Sequence, residues 1–142
     1  MAAITTTISE TFAQDATWRL VDNPYQEDLE YTVGEIASPR VEINGVRWQS
    51  FMVQPGQDPN DRRYGRVPVE LTVEVENRRT ESEKVLVILL LEDADGAPLD
   101  RIEVGTFKVP AGRIRERTES ADMLGQVLLD TRRVYVFFEV ME

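Results

Sequence analysis

The residues able to do chemistry in this chain form a short inventory. Its 142 residues include no cysteine and no histidine. Disulfides and thiolate metal sites are therefore excluded. So are Ser-His-Asp and Cys-His nucleophile systems, histidine-containing zinc sites and the imidazole proton shuttle. Carboxylates, Tyr, Lys and Arg remain. The eight glycines never fall into the GxGxxG or GxxxxGK[ST] spacing that cradles phosphates, and there is no GxSxG elbow. No cofactor is implied.

Carboxylates are abundant, with 26 Asp and Glu against 16 Lys and Arg for a net charge of −10. Glu70, Glu74 and Glu76 share one face of an alternating segment and are expected to form a solvated row. A carboxylate-dependent glycoside hydrolase would need two of these groups to converge in a cleft, and so many carboxylates give chance pairs at the required separation. The stretch Glu92–Gly96, "EDADG", resembles a calcium loop, but Gly96 follows Asp95 directly. It reads as an Asp-Gly turn, with adventitious calcium as the alternative.

The cations run against this acidic mean. Arg113, Arg115 and Arg117 alternate along one strand face, and Arg62, Arg63 and Arg66 crowd a loop with Tyr64. One reading is pairing within the chain together with protection of a sheet edge. The other is a docking stripe and binding loop for an acidic partner, including another copy of the chain. Only Lys84 and Lys108 are lysines. Arginine in such excess suits a GC-rich, salt-loving or heat-loving source as well as plain codon bias.

The elements that would position these groups are strands. "VEINGVRW", Val41–Trp48, centres on Asn44-Gly45, which fits a type I′ turn. That register pairs Ile43 with Val46, Val41 with Trp48, and Glu42 with Arg47 on the other face. Upstream, "DNPYQED" reads as a turn before the alternating "LEYTVGEI". Residues 54–66 are turn-rich and are the natural place for a binding loop. From Val67 the alternation is regular: Val67, Val69, Leu71, Val73 and Val75 point inward. "VLVILLL" from Val85 and "VYVFF" from Val134 are apolar on both faces. The apolar phase slips across Gly105, which predicts a β-bulge. "SADMLGQVLLD" is the one helical candidate, with Ser120 as its cap.

Residues 69–119 resemble the immunoglobulin-like modules of the cell-adhesion-related and FxLYD-type groups. The likeness lies in "VELTVEVEN", the doubly apolar "VLVILLLE", the turn "DADG" and the turn "PAG" before "RIRERTE". It implies an accessory or interaction domain and carries over no catalytic residue.

The fold expected is all-β: an immunoglobulin-like β-sandwich with an N-terminal hairpin layer, an N-terminal arm and one short helix before the last strand. Residues 1–14 form the arm, with Ile4, Ile8 and Phe12 as anchors, and 15–142 the domain. The doubly apolar strands need cover on their outer faces. The hairpin and helix would supply it from within, and a neighbouring subunit from outside.

The function expected is non-enzymatic: a structural or interaction component of a larger assembly, such as a capsid decoration or tail component of a virion. A carbohydrate- or peptide-binding module is the alternative. Protein partners are expected, as a homo-oligomer or with another structural protein, and neither nucleic acid nor membrane insertion is. With no signal peptide discernible, the product is expected to be soluble, in a virion or the cytoplasm.

Overall fold

Residues 18–141 are described by the computed structural model. Their strands are β1 (Arg19–Leu20), β2 (Tyr25–Glu30), β3 (Ile36–Ala37), β4 (Val41–Ile43), β5 (Val46–Pro55), β6 (Arg66–Asn77), β7 (Glu83–Glu92), β8 (Pro98–Val109), β9 (Ile114–Leu124) and β10 (Arg133–Met141). One helix, α1 (Gly125–Asp130), precedes the last strand, and a 3-10 turn occupies Pro59–Arg62. Among the described residues, no helix is long and apolar enough to cross a membrane.

The Asn44-Gly45 turn sets the register of β4 on β5. Both residues have positive φ, 47° and 88°, as the tight turn requires. The pairs are Ile43 with Val46, Glu42 with Arg47 and Val41 with Trp48. On the solvent side the Arg47 Nε donates to Glu42 at 2.8 Å. β5 then pairs with β6 and β6 with β9, giving a first sheet ordered β1-β4-β5-β6-β9, with β3 also on β5. The second sheet is ordered β2-β10-β7-β8. The sheets pack as a sandwich, and the alternating residues of β6 from Val67 to Val75 are buried between them.

The connectivity is immunoglobulin-like in its six later strands. β5-β6-β9 face β8-β7-β10, the arrangement of strands A-B-E against C′-C-F. The place beside F belongs in that fold to the strand following it in the chain. Here it is filled by β2, which precedes all six and runs antiparallel to β10. Asn77 fastens the turn after β6. Fully buried, it donates to the carbonyls of Glu81 and Val109 at 2.8 and 2.9 Å and accepts from the Arg79 N–H.

Three local expectations are corrected. The hairpin Val41–Trp48 does not lie on the outer face of another layer: β4 and β5 are strands of the first sheet, and their apolar side faces the core. Trp48 sits 5.4 Å from both Phe51 and Phe138, ring centre to ring centre. Ser120 does not cap a helix. Residues 120–124 continue β9, because β6 offers backbone partners as far as Arg66, opposite Leu124, and Met123 is buried there beside Val67. The segment "DNPYQED" is not simply a turn, since β2 starts at Tyr25 and pairs along β10.

The predicted bulge is present. Phe107 pairs with Val85 and Val104 with Val87, so Gly105 and Thr106 together oppose Leu86. The Asp93–Ala97 segment is a turn in which the Asp93 carboxylate accepts the N–H groups of Asp95 and Ala97.

Candidate functional site

The loop between β5 and β6 carries exposed arginines, and backbone hydrogen bonds hold its base and tip. At its base the Gly56 N–H donates to the Pro68 carbonyl at 2.7 Å. Asp58 accepts the Asn60 N–H at 2.9 Å and opens the 3-10 turn, with Pro59 at its start. At the tip the Gly65 N–H closes onto the Arg62 carbonyl. The outgoing strand then begins at Arg66.

Helix α1 clamps this loop. The first N–H groups of a helix have no partner within it. Here the Gly125 N–H donates to the Gly65 carbonyl at 3.1 Å and the Gln126 N–H to the Arg63 carbonyl at 2.8 Å. No side chain caps the helix; the loop backbone takes that role. A Cβ on Gly125 would stand 2.2 Å from the Arg62 carbonyl oxygen and 2.8 Å from that of Pro59. Only glycine permits the approach.

The clamped loop presents Tyr64, 88% exposed, with Arg62, Arg63 and Arg66 exposed around it. Arg66 stands opposite Leu124, an apolar residue also left in solvent. Among the described residues, no carboxylate lies within 4.0 Å of these three guanidinium groups, as is also true of Arg40, Arg78, Arg113, Arg115, Arg117 and Arg132, whereas Arg19, Arg47, Arg79, Arg101 and Arg133 have ion-pair partners. Arg63 makes only a 3.3 Å hydrogen bond to the Asn60 side chain. Pairing among the described residues therefore does not account for them. An exposed tyrosine on a clamped backbone, among arginines without a carboxylate partner in the described residues, suits recognition, since both residue types are enriched in binding hot spots and guanidinium matches carboxylates bidentately.

The second basic group lies elsewhere. Arg115 and Arg117 pair with Val75 and Val73, which puts them on the core-facing side of β9, the edge strand of the first sheet. They project over the open margin of the sandwich, with the Arg117 guanidinium 6.0 Å from the Phe107 ring centre. Arg113 lies in the turn before the strand, its N–H on the Pro110 carbonyl. Inward charges on an edge strand obstruct sheet-to-sheet pairing. The stripe starts at the opposite end of β9 from the loop, and even its nearest member Arg117 is roughly 23 Å from Leu124 at strand rise, so the two groups are not one surface. Ile4, Ile8 and Phe12 lie outside the described residues.

Glu70, Glu74 and Glu76 line the outer face of the first sheet, where Glu70 and Glu74 stand opposite Ser120 and Glu116. At the other margin, Arg19, Tyr25 and Glu27 join β1 to β2 across the two sheets. Arg19 donates to Glu27 at 2.8 Å and to the Tyr25 oxygen, and the Tyr25 hydroxyl donates to the same carboxylate. Burial, reinforced by the bond to Glu27, pushes the Tyr25 hydroxyl up to about 12, and the Arg19 and Tyr25 hydrogen bonds hold the Glu27 carboxyl below its usual range. The cluster is structural.

Sequence reasoning named Arg62, Arg63, Tyr64 and Arg66 but missed Gly125 and Leu124. Gly125 carried no local signal beyond being a glycine in a helical pattern.

No family model and no curated protein matches this chain. Among solved structures it is similar to Ptr ToxA, an RGD-containing host-selective toxin of Pyrenophora tritici-repentis, at 14% identity over 89% of this chain and 98% of that one, with a TM-score of 0.40. It is also similar to the enzymatically active domain of bacteriophage CBA120 tailspike protein 4, at 12% identity over 83% of this chain and 17% of that one, with a TM-score of 0.24. At these scores neither likeness bears on function.

Proposed function

We propose that this chain is a non-enzymatic interaction protein, a structural component of a larger assembly, and that loop 56–66 docks it onto an acidic protein surface. A virion, with the chain as a capsid decoration or tail component, is one setting for it. The observation that supports the docking role is the cluster of Arg62, Arg63 and Arg66, without a carboxylate partner among the described residues, around exposed Tyr64 on a loop clamped by Gly125. A loop already fixed loses little conformational entropy on binding. Charge supplies orientation: a molecule of net charge −10 repels an acidic partner from most directions, and the loop offers a local basic approach.

The experiment is selection of random displayed peptides on the immobilised full chain. Enrichment of Asp- and Glu-rich peptides that fail to bind the Arg62→Gln, Arg63→Gln, Arg66→Gln variant supports the proposal. Selected peptides that are not acidic, or that bind the variant equally, refute it.

A further inference from the structure

The outer face of the second sheet has a distinctive arrangement. Register places Leu90 beside Tyr135, Ile88 beside Phe137, and Leu86 beside the carboxylate Glu139 on the central strands β7 and β10. Leu86, Ile88, Leu90, Tyr135 and Phe137 are only half-buried, and among the described residues neither the hairpin nor α1 lies over them. The two ends of this stripe carry opposite charge. At one end Glu92 pairs across the strands with Arg133, and Arg133 with Glu30, while Asp28 takes the Arg133 Nε at 2.9 Å. Three carboxylates thus surround one arginine, and the buried Glu92 Oε1 has no hydrogen-bond partner.

At the other end Lys84 stands directly opposite Lys108. They are the only lysines of the chain, and no carboxylate lies within 4.0 Å of either among the described residues. Like charges facing each other across strands are unfavourable in isolation. Among the described residues, neither end is balanced by ion pairs of its own.

We infer that the outer face of the β2-β10-β7-β8 sheet is a self-association surface, on which a second copy packs face to face with its strands reversed. The two-fold axis lies in the interface plane, at right angles to the strands, at the level of Ile88 and Phe137. Rotation about it sets Ile88 on Ile88, Phe137 on Phe137 and Leu86 on Leu90. It brings Lys84 of each copy over the Glu92 end of the other, so the lysines meet the acidic end, while Glu139 falls on Tyr135. An axis parallel to the strands, between β7 and β10, would set Glu92 of one copy on Arg133 of the other and Lys84 on Met141, leaving the lysines with no acid opposite them. Four strands and five same-face rows give a footprint on the order of 500 Å² per copy, sized for a dimer at the weaker end of the specific class. This surface is separate from loop 56–66, so either can fail without the other.

The test is the solution mass of the full chain by light scattering and sedimentation, at about 0.1 M salt and again at multimolar salt, from low micromolar to near-millimolar protein. The expected result is a reversible dimer of the 16.2 kDa chain, with dissociation rising roughly tenfold or more on Lys84→Glu at the lower salt. Ile88→Arg, which sets like charges against each other on the axis, leaves a folded monomer, while Thr72→Arg on the other sheet leaves the dimer intact. A full chain that stays monomeric throughout overturns the inference. So does a dimer that neither Lys84→Glu nor Ile88→Arg weakens.

Discussion

Gly125 and Arg62 are in backbone contact: a Cβ on the first would stand 2.2 Å from the carbonyl oxygen of the second. They are 63 positions apart, yet this approach lets the start of α1 hydrogen-bond the loop tip at Gly65 and Arg63. The sandwich supplies both partners, since β6 and β9 pair as far as Arg66 and Leu124 before the chain leaves the sheet. The loop's shape is therefore set by the fold and not by its own turn residues alone.

Gly125→Ala should destabilise the protein by about 1–3 kcal/mol, the usual cost of forcing a methyl into a packed site. The sandwich should persist, and the amides of residues 56–66 should exchange faster. Hydrogen exchange of variant against parent checks this. Unchanged loop exchange would mean the helix does not clamp it.

Two adjacent phenylalanines test the register of β10. Phe138 is fully buried against Trp48, whereas Phe137 lies on the outer face. Phe138→Ala should cost about 3–5 kcal/mol, as for a large core truncation. Phe137→Ala should cost about 1 kcal/mol in the monomer. Denaturant unfolding at low micromolar protein separates them, and equal losses would contradict the register.

Glu92 makes stability depend on pH. Desolvation first, then hydrogen bonding with Asp28 and the charges of Asp28 and Asp93, raise its carboxyl above the ordinary value, and Arg133 opposes them. A carboxyl raised in the folded state contributes stability that is present below its unfolded value and is lost as pH rises through the raised one. Glu92→Gln keeps the shape and removes the charge. It should match the parent near pH 4 and exceed it at pH 7 by about 1 kcal/mol, the scale of an unsatisfied buried acceptor. Thermal melts across that range, at low micromolar protein, read the difference. A constant offset at both pH values would contradict the assignment.

Much of the fold was legible because local signals agreed. The Asn44-Gly45 turn and its three matched pairs fix one register, and the phase slip at Gly105 marks the bulge. The immunoglobulin-like sandwich followed from such strands. The helix boundary was not legible: Met123 and Val127 stand four apart as on a helix, and only the partner strand β6 reveals that Met123 belongs to a sheet. β2 was misread for a similar reason, as its Asn-Pro and acidic residues signal a turn while β10 supplies a strand to pair with. For the site, the arginines and Tyr64 could be named from type and crowding. Whether each arginine has a carboxylate partner depends on neighbours distant in sequence, and so does the place of the hairpin.

The docking account is tested most directly by the affinity of a selected acidic peptide for three full-length proteins: the parent, the Arg62→Gln, Arg63→Gln, Arg66→Gln variant, and Tyr64→Ala. The parent should bind about tenfold more weakly when salt rises from roughly 0.05 to 0.3 M. The arginine variant should lose binding at both, and Tyr64→Ala should weaken it by about tenfold or more with the salt dependence retained. Equal affinity across the three proteins would contradict the account.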